Sequence, residues 1–446
     1  MDRQRREFLR TMSTAVTLPV LAPILKAAAE TGSAEDSADF PAAASRDFRA
    51  HFPILKESVN GQPLVYLDSA ATTQRPREVV DALSKFYLHD NANPAKSLHT
   101  LAGRSAAAYA AARAKVARFL NARGPEEIVW TRGTTEAINL VATSWGGANL
   151  GPGDEVLVTV SDHYSNLVPW QLATRRVKAT LRVLDVSDDG RLRLDQLDAL
   201  LSKRTKLVTF PHVSNVLGRI NPAREICERA HRAGALVLVD AAQSVPHLPV
   251  DVQDFNCDFL ALSGHKMCGP MGVGVLWARP ELLEAMPPFQ AGSNMTHDVE
   301  IESATTQFAE GGLKFEAGTP NVPGAVGLAA AIAFLESFDR KALWEREQEL
   351  TRYALSSLQK VRGLRILGAA EPSERISVFS FVVDNREPLE VVRALDGMGI
   401  AVRGGDLASL PLLERMGLRA AVRASCYGYT STEEIDRLIA GLQRKS

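Results

Sequence analysis

From Val65 onward the chain repeats one short pattern: an apolar run rich in β-branched residues, a turn, and a stretch whose apolar positions have helical spacing. Such alternation specifies an α/β fold, because strands that are apolar on both sides must be covered by helices above and below the sheet. Seven runs of this kind lie at 128–131, 155–160, 181–186, 206–211, 235–240, 258–263 and 272–277. They define one large α/β/α domain with a mostly parallel sheet over 65–310. Beyond it, helical stretches at 325–338 and 340–361 precede strands at 376–383, 400–403 and 421–427, a smaller C-terminal α+β domain over 311–446. Residues 47–64 are expected to pack with that smaller domain. Asn221 and Pro222 predict the N-cap and first turn of a helix over 222–232, and Ser431 and Glu434 have the spacing of a capping box.

With 446 residues the chain can bury a sizeable core, and 46% hydrophobic with 23% charged residues is the composition of a globular protein. The 51 Lys and Arg against 52 Asp and Glu leave a formal charge of -1, so no basic face for nucleic acid is expected. Cys227, Cys257, Cys268 and Cys426 stand singly, without a CxxC pair or a Cys/His cluster. Neither a disulfide framework nor a metal site is expected.

The first thirty residues are of another kind. Arg5-Arg6 with Phe8-Leu9-Arg10, an apolar stretch at 12–25 and then small residues resemble a twin-arginine export signal. The apolar stretch is too short to span a membrane stably. This predicts a signal at 1–29, removed after Ala29, a flexible tether at 30–46, passage through the twin-arginine export machinery, a periplasmic protein and no membrane span after processing. The competing reading is a basic amphipathic start that stays attached.

The chemistry concentrates in 236–270. One apolar strand ends in Asp240, Gln243 follows on the turn, and 26 residues after Asp240 a second strand runs into Ser263-Gly264-His265-Lys266. Strand ends converge at one edge of a sheet, so an acid and a lysine there can face one pocket. Pyridoxal phosphate chemistry needs this pair: an amine to bond covalently to the cofactor, and a carboxylate to keep the ring nitrogen protonated. Taken alone, each is an ordinary turn residue. The run 128–131 is followed by Arg132-Gly133-Thr134-Thr135, a glycine turn opening a helix whose free N–H groups and two hydroxyls suit a phosphate. After 155–160 comes His163, placed to lie over a cofactor ring.

Here the likeness becomes specific. VYLDSAATTQRP (65–76), RGTTEAINLVATSWG (132–146), DHYSNLVPWQ (162–171), HVSNVLGRINP (212–222), VDAAQSVPH (239–247), SGHKMCGPMGVGVLW (263–277) and FEAGTPN (315–321) resemble the group II cysteine desulfurase and selenocysteine lyase family. That group belongs to the class V aminotransferases of fold type I, the pyridoxal 5'-phosphate-dependent transferases. The resemblance implies that Lys266 holds the cofactor, His163 stacks on it, Asp240 meets its ring nitrogen and Gln243 its phenolic oxygen. Thr134, Thr135, Ser263 and His265 would hold the phosphate, with Thr319 reaching in from the neighbouring subunit of a homodimer with shared sites. Asn215, Arg403 and Arg423 would grip the carboxylate of a small amino-acid substrate; a guanidinium matches that group with two parallel hydrogen bonds. Lys266, His163 and Asp240 are the expected catalytic residues.

The sequence also departs from the family. Where its members carry a cysteine that accepts sulfur, the aligned position is Ala408, and the family's His-Arg-Gly at the pocket edge is replaced at 95–97. Desulfuration of cysteine is therefore not the expected reaction. Three readings stay open: transamination or other α-carbon chemistry, including epimerisation, on an amino acid or an amino-acid-containing metabolite; lyase chemistry on cysteine sulfinate or selenocysteine that needs no protein thiol; and a binding protein without turnover. The first is preferred.

Overall fold

The computed structural model describes residues 48–94, 98–368 and 371–444. The expected signal and tether, and the replaced pocket edge at 95–97, lie outside the described residues. Seven strands form the main sheet: β1 (Ile128–Thr131), β2 (Glu155–Thr159), β3 (Thr180–Leu184), β4 (Thr205–Pro211), β5 (Leu236–Asp240), β6 (Phe259–Ser263) and β7 (Gly274–Ala278). Their order across the sheet is β1-β7-β6-β5-β4-β2-β3, with β7 antiparallel to both neighbours and the other pairs parallel. All seven apolar runs of the sequence are present. Their side chains divide by parity as a pleated strand requires. Val237, Val239, Leu260 and Leu262 enter one buried cluster, while Leu238, Phe259 and Ala261 enter the cluster on the opposite face. Both faces are thus covered, which is why these strands are apolar throughout.

The smaller sheet is antiparallel, with β8 (Leu364–Ile366), β9 (Val378–Val383), β10 (Arg403–Gly405) and β11 (Ala421–Ser425) in the order β8-β9-β11-β10. Helices Pro388–Asp396 and Thr432–Gln443 supply Val391, Leu395, Leu438 and Leu442 to its core. The capping box of the last helix is formed: the Ser431 hydroxyl accepts the Glu434 N–H, and the Glu434 carboxylate accepts the Ser431 N–H.

Several local details differ from expectation. The helix expected at 222–232 runs Ala223–Arg232 without a side-chain cap, because the Asn221 amide donates instead to the Pro211 carbonyl at 2.7 Å. Val65–Tyr66 pairs in parallel with Ile400–Ala401, so the residues expected to open the large domain join the C-terminal part of the chain. The strand expected at 400–403 is split, Ile400–Ala401 pairing with Val65–Tyr66 and Arg403–Gly405 with β11. A hairpin, Thr296–Glu300 with Thr305–Phe308, lies where polar composition had hidden any strand. At the start of the described residues the Phe48 ring centre lies 5.3 Å from that of Phe334 and 5.0 Å from that of Phe338, and Arg49 pairs with Glu434.

Candidate active site

Lys266 ends a tight turn, Gly264–Lys266, directly after β6. Three donors fix that turn through the His265 carbonyl: the Thr73 N–H at 3.1 Å, the Thr72 hydroxyl at 3.0 Å and the Thr73 hydroxyl at 3.2 Å. The Thr73 hydroxyl also accepts the Cys268 N–H at 2.8 Å, which stabilises the left-handed conformation of Cys268 (φ 65°). Burial lowers the Lys266 amine to about 8; Asp240 opposes that shift, and the charges of Arg423 and Arg403 add to it. Asp240 closes β5, the neighbouring parallel strand, and its Oδ1 accepts the Ala242 N–H at 2.9 Å. Burial raises this carboxyl, against the Ala242 N–H and the charge of Lys266. Acid and amine therefore share one weakly hydrated space at the ends of adjacent strands.

Gln243 donates from Nε2 to the Ala70 carbonyl at 2.8 Å, and its Oε1 is buried with no partner among the described residues. His163 caps helix Tyr164–Val177, its Nδ1 accepting the Ser165 N–H at 3.1 Å. Burial first, then the charges of Lys266 and Arg423, lower this imidazole to about 4 against the pull of Asp406, so it is neutral at pH 7. Its turn is held by the buried Asp162, whose carboxylate accepts the Thr159 N–H at 2.7 Å and the Asn166 amide at 2.8 Å.

The expected phosphate residues converge at the start of helix Thr134–Asn149. Ser263 Oγ accepts the Thr134 N–H at 2.8 Å and lies 2.8 Å from the Thr134 hydroxyl, while the Thr135 hydroxyl is 2.7 Å from that of Ser165. Close packing here needs glycine: a Cβ on Gly274 of β7 would lie 2.4 Å from the Gly133 Cα. The His265 ring is lowered to about 4 by burial, with help from Lys266 and Arg75. Thr319 is exposed and accepts the Asn93 amide at 3.3 Å, outside this group.

At the substrate end Arg403 of β10 lies directly across from Arg423 of β11. Arg423 is 3% exposed, donates to the Asn215 carbonyl at 3.0 Å, and has a buried Nε without a partner among the described residues. Burial lowers it to about 10, with Asp68 opposing and Arg403 adding to the shift. Asn215 contributes differently from expectation. Its side-chain amide donates to the Leu407 carbonyl at 2.9 Å and accepts the Ser409 hydroxyl at 3.1 Å, so it anchors a loop rather than presenting a free amide. That loop carries Ala408, whose carbonyl accepts the Tyr164 N–H at 2.8 Å; Leu407 and Ala408 are both left-handed, with φ of 53° and 52°. Sequence reading missed Asp68, Thr72 and Thr73. All three stand in the VYLDSAATT segment, whose short strand gave no sign that it would reach the site.

These residues fit pyridoxal phosphate: an amine near 8, a carboxylate facing it, a helix N-terminus ringed with hydroxyls, a neutral imidazole and a buried guanidinium with an open edge. Fold and site together define a pyridoxal-phosphate-dependent enzyme of fold type I. Residues 65–438 match the family described as aminotransferase class-V, and the chain belongs to that family; its cofactor is pyridoxal phosphate. A protein of Dickeya dadantii named cysteine desulfurase is 48% identical over 396 residues, covering 89% of this chain and 95% of its own length. One of Synechococcus elongatus with the same name is 49% identical over 89% of this chain, which spans 63% of that longer protein. The structure of a cysteine desulfurase from Thermococcus onnurineus superposes with a TM-score of 0.85 at 34% identity, over 90% of this chain and 98% of that one. The Escherichia coli cysteine desulfurase CsdA gives 0.82 at 37%, with the same coverage.

These relatives overturn the reaction expected from the sequence. Transamination or other α-carbon chemistry, the sulfinate or selenocysteine lyase and the non-catalytic binder all give way, because relatives at 45 to 49% identity over most of the chain are named cysteine desulfurases. Setting desulfuration aside on the strength of Ala408 gave one loop position more weight than the whole chain supports.

Proposed function

We propose that this chain is a cysteine desulfurase that removes the sulfur of free cysteine and leaves alanine. The observation that carries the reading is the 48% identity to a protein of that name over 95% of its length, together with Lys266, Asp240 and Arg423 gathered at one site. When bound, pyridoxal phosphate supplies an electron sink conjugated with the substrate's α-carbon. Arg423 binds the substrate carboxylate through its open Nε edge, in the orientation set by the Asn215 carbonyl. Lys266, easily discharged near neutral pH, moves the proton at the α-carbon. Asp240 holds a proton at the ring nitrogen, and the neutral His163 ring covers the site without adding charge.

The sulfur acceptor in this reading is a thiol from outside the chain. All four cysteines are buried, and burial raises each thiol, that of Cys268 to about 12, so none is available as a thiolate. The reaction balances as cysteine plus acceptor thiol giving alanine plus persulfide. The Cβ–Sγ bond breaks, Cβ keeps the electron pair and takes a proton, and the acceptor sulfur bonds to Sγ. The test is to incubate holoenzyme with cysteine, with and without a small thiol, and measure alanine and sulfide. Alanine formation that rises with thiol supports the reading; keto acid or D-isomer without alanine overturns it.

The site is further proposed to be completed in a homodimer, for which the exposed Tyr87, Leu88, Leu98 and Met271 and the exposed Thr319 speak. Export by the twin-arginine route to the periplasm is proposed from residues 1–29. Fractionation of cells carrying the chain with Arg5 and Arg6 intact or both changed to Lys tests it.

A further inference from the structure

Two parts of the cofactor site are fastened to one stretch of chain that is neither helix nor strand, residues 69–76. Lying between the Val65–Tyr66 strand and helix Arg77–Lys85, this loop gives its Ala70 carbonyl to the Gln243 amide at 2.8 Å. Its Thr72 and Thr73 hydroxyls hold the His265 carbonyl just before Lys266, and Thr73 takes the Cys268 N–H just after it. With no ladder of backbone bonds along it, such a loop keeps its shape through side-chain contacts. Both its ends meet on one phenol. The Tyr429 hydroxyl accepts the Gln74 N–H at 3.2 Å and lies 2.8 Å from Ser69 Oγ. Burial raises this phenol well above its ordinary value, so it keeps its proton and donates it to Ser69 while accepting from Gln74. Tyr429 is itself fixed. It is 0% exposed, its carbonyl accepts the Arg49 guanidinium at 2.7 Å, and its ring lies 4.8 Å from that of Phe52.

We propose that Tyr429 is a positioning residue: its hydroxyl sets the loop from Ser69 to Gln74, and through that loop the turn that presents Lys266 and the side chain of Gln243. Without the hydroxyl both ends of the loop are released. Thr72 and Thr73 then lose their fixed approach to the His265 carbonyl, and water reaches the Lys266 turn. The lowered value of the Lys266 amine comes first from burial, so hydration moves it back up, toward that of an ordinary lysine. The proposal concerns how the cofactor is seated, and it stands or falls independently of the desulfurase reading.

The test compares full-length Tyr429→Phe with wild type. In the holoenzyme, amide exchange is read at Thr73 and Cys268, whose N–H groups are bonded to His265 and Thr73 rather than to Tyr429. In the cofactor-free chain, absorbance gives the pH midpoint for loading pyridoxal phosphate. The expected results are exchange roughly tenfold faster at both amides and a midpoint about one pH unit higher. Tyr109→Phe deletes another buried phenol, bonded to Glu316 at 2.9 Å, and is expected to leave both readouts unchanged. Unchanged exchange or an unchanged midpoint in Tyr429→Phe overturns the proposal. An equal shift in Tyr109→Phe does so too, because it marks a general loss of stability. If Tyr429→Phe does not fold, Ser69→Ala breaks the 2.8 Å contact with the aromatic packing intact. That variant is expected to change both readouts in the same directions by less, and values identical to wild type overturn the proposal.

Discussion

Asn215 joins the substrate arginine to the Ala408 loop: its carbonyl accepts Arg423 at 3.0 Å while its amide donates to Leu407 at 2.9 Å. Asn215→Ala keeps the first contact and loses the second, together with the Ser409 hydrogen bond. Two buried hydrogen bonds of this kind amount to about 1–3 kcal/mol. The expected outcome is a KM for cysteine raised about tenfold with a smaller loss in kcat, and faster amide exchange at 406–409. Unchanged exchange there would mean that the loop is held by other contacts.

The Lys266 amine must be uncharged to bond to the cofactor, and its lowered value of about 8 sets the pH at which it becomes so. Loading of the cofactor-free chain should therefore accelerate through about pH 8 and level off, whereas an ordinary lysine would keep accelerating toward 10.5. Asp240 pulls the amine upward, so Asp240→Asn should move the midpoint to lower pH. Stopped-flow absorbance measures both. In the same variant the ring nitrogen loses its counter-charge, and kcat is expected to fall by about a hundredfold or more with the cofactor still bound.

A thiol placed at 408 should turn the reaction back onto the chain. Ala408 already tolerates a left-handed backbone, so Ala408→Cys adds only a sulfhydryl beside the His163 turn. After incubation with cysteine, mass spectrometry should find one extra sulfur on this variant and none on wild type. A persulfide on wild-type chain would contradict the external acceptor.

Stability rests partly on Glu316, which takes Arg113 in two hydrogen bonds at 2.8 and 2.7 Å, the Tyr109 hydroxyl at 2.9 Å and the Trp130 N–H at 2.9 Å. Glu316→Ala leaves a buried guanidinium uncompensated, a loss of about 3–5 kcal/mol. Calorimetry of the holoenzyme should show a marked fall in melting temperature while the absorbance of correctly folded site is retained at low temperature. A change within one degree would show that Arg113 finds another partner.

The amino-acid order alone determined the α/β class, all seven strands of the main sheet, and Asp240 and Lys266 at strand ends, because strand period and turn chemistry are local and this sheet is apolar on both faces. The capping box at Ser431 was legible for the same reason. Tertiary structure decided what depends on contacts between distant segments. Val65–Tyr66 pairs with Ile400–Ala401 only because both edges come together in space, and that pairing carries Asp68 between Arg403 and Arg423, more than 330 residues away. The same holds for Asn215, whose side chain is claimed by a loop near residue 407 rather than by substrate. No spacing in the sequence encodes such meetings, since each is the outcome of one sheet edge closing over another.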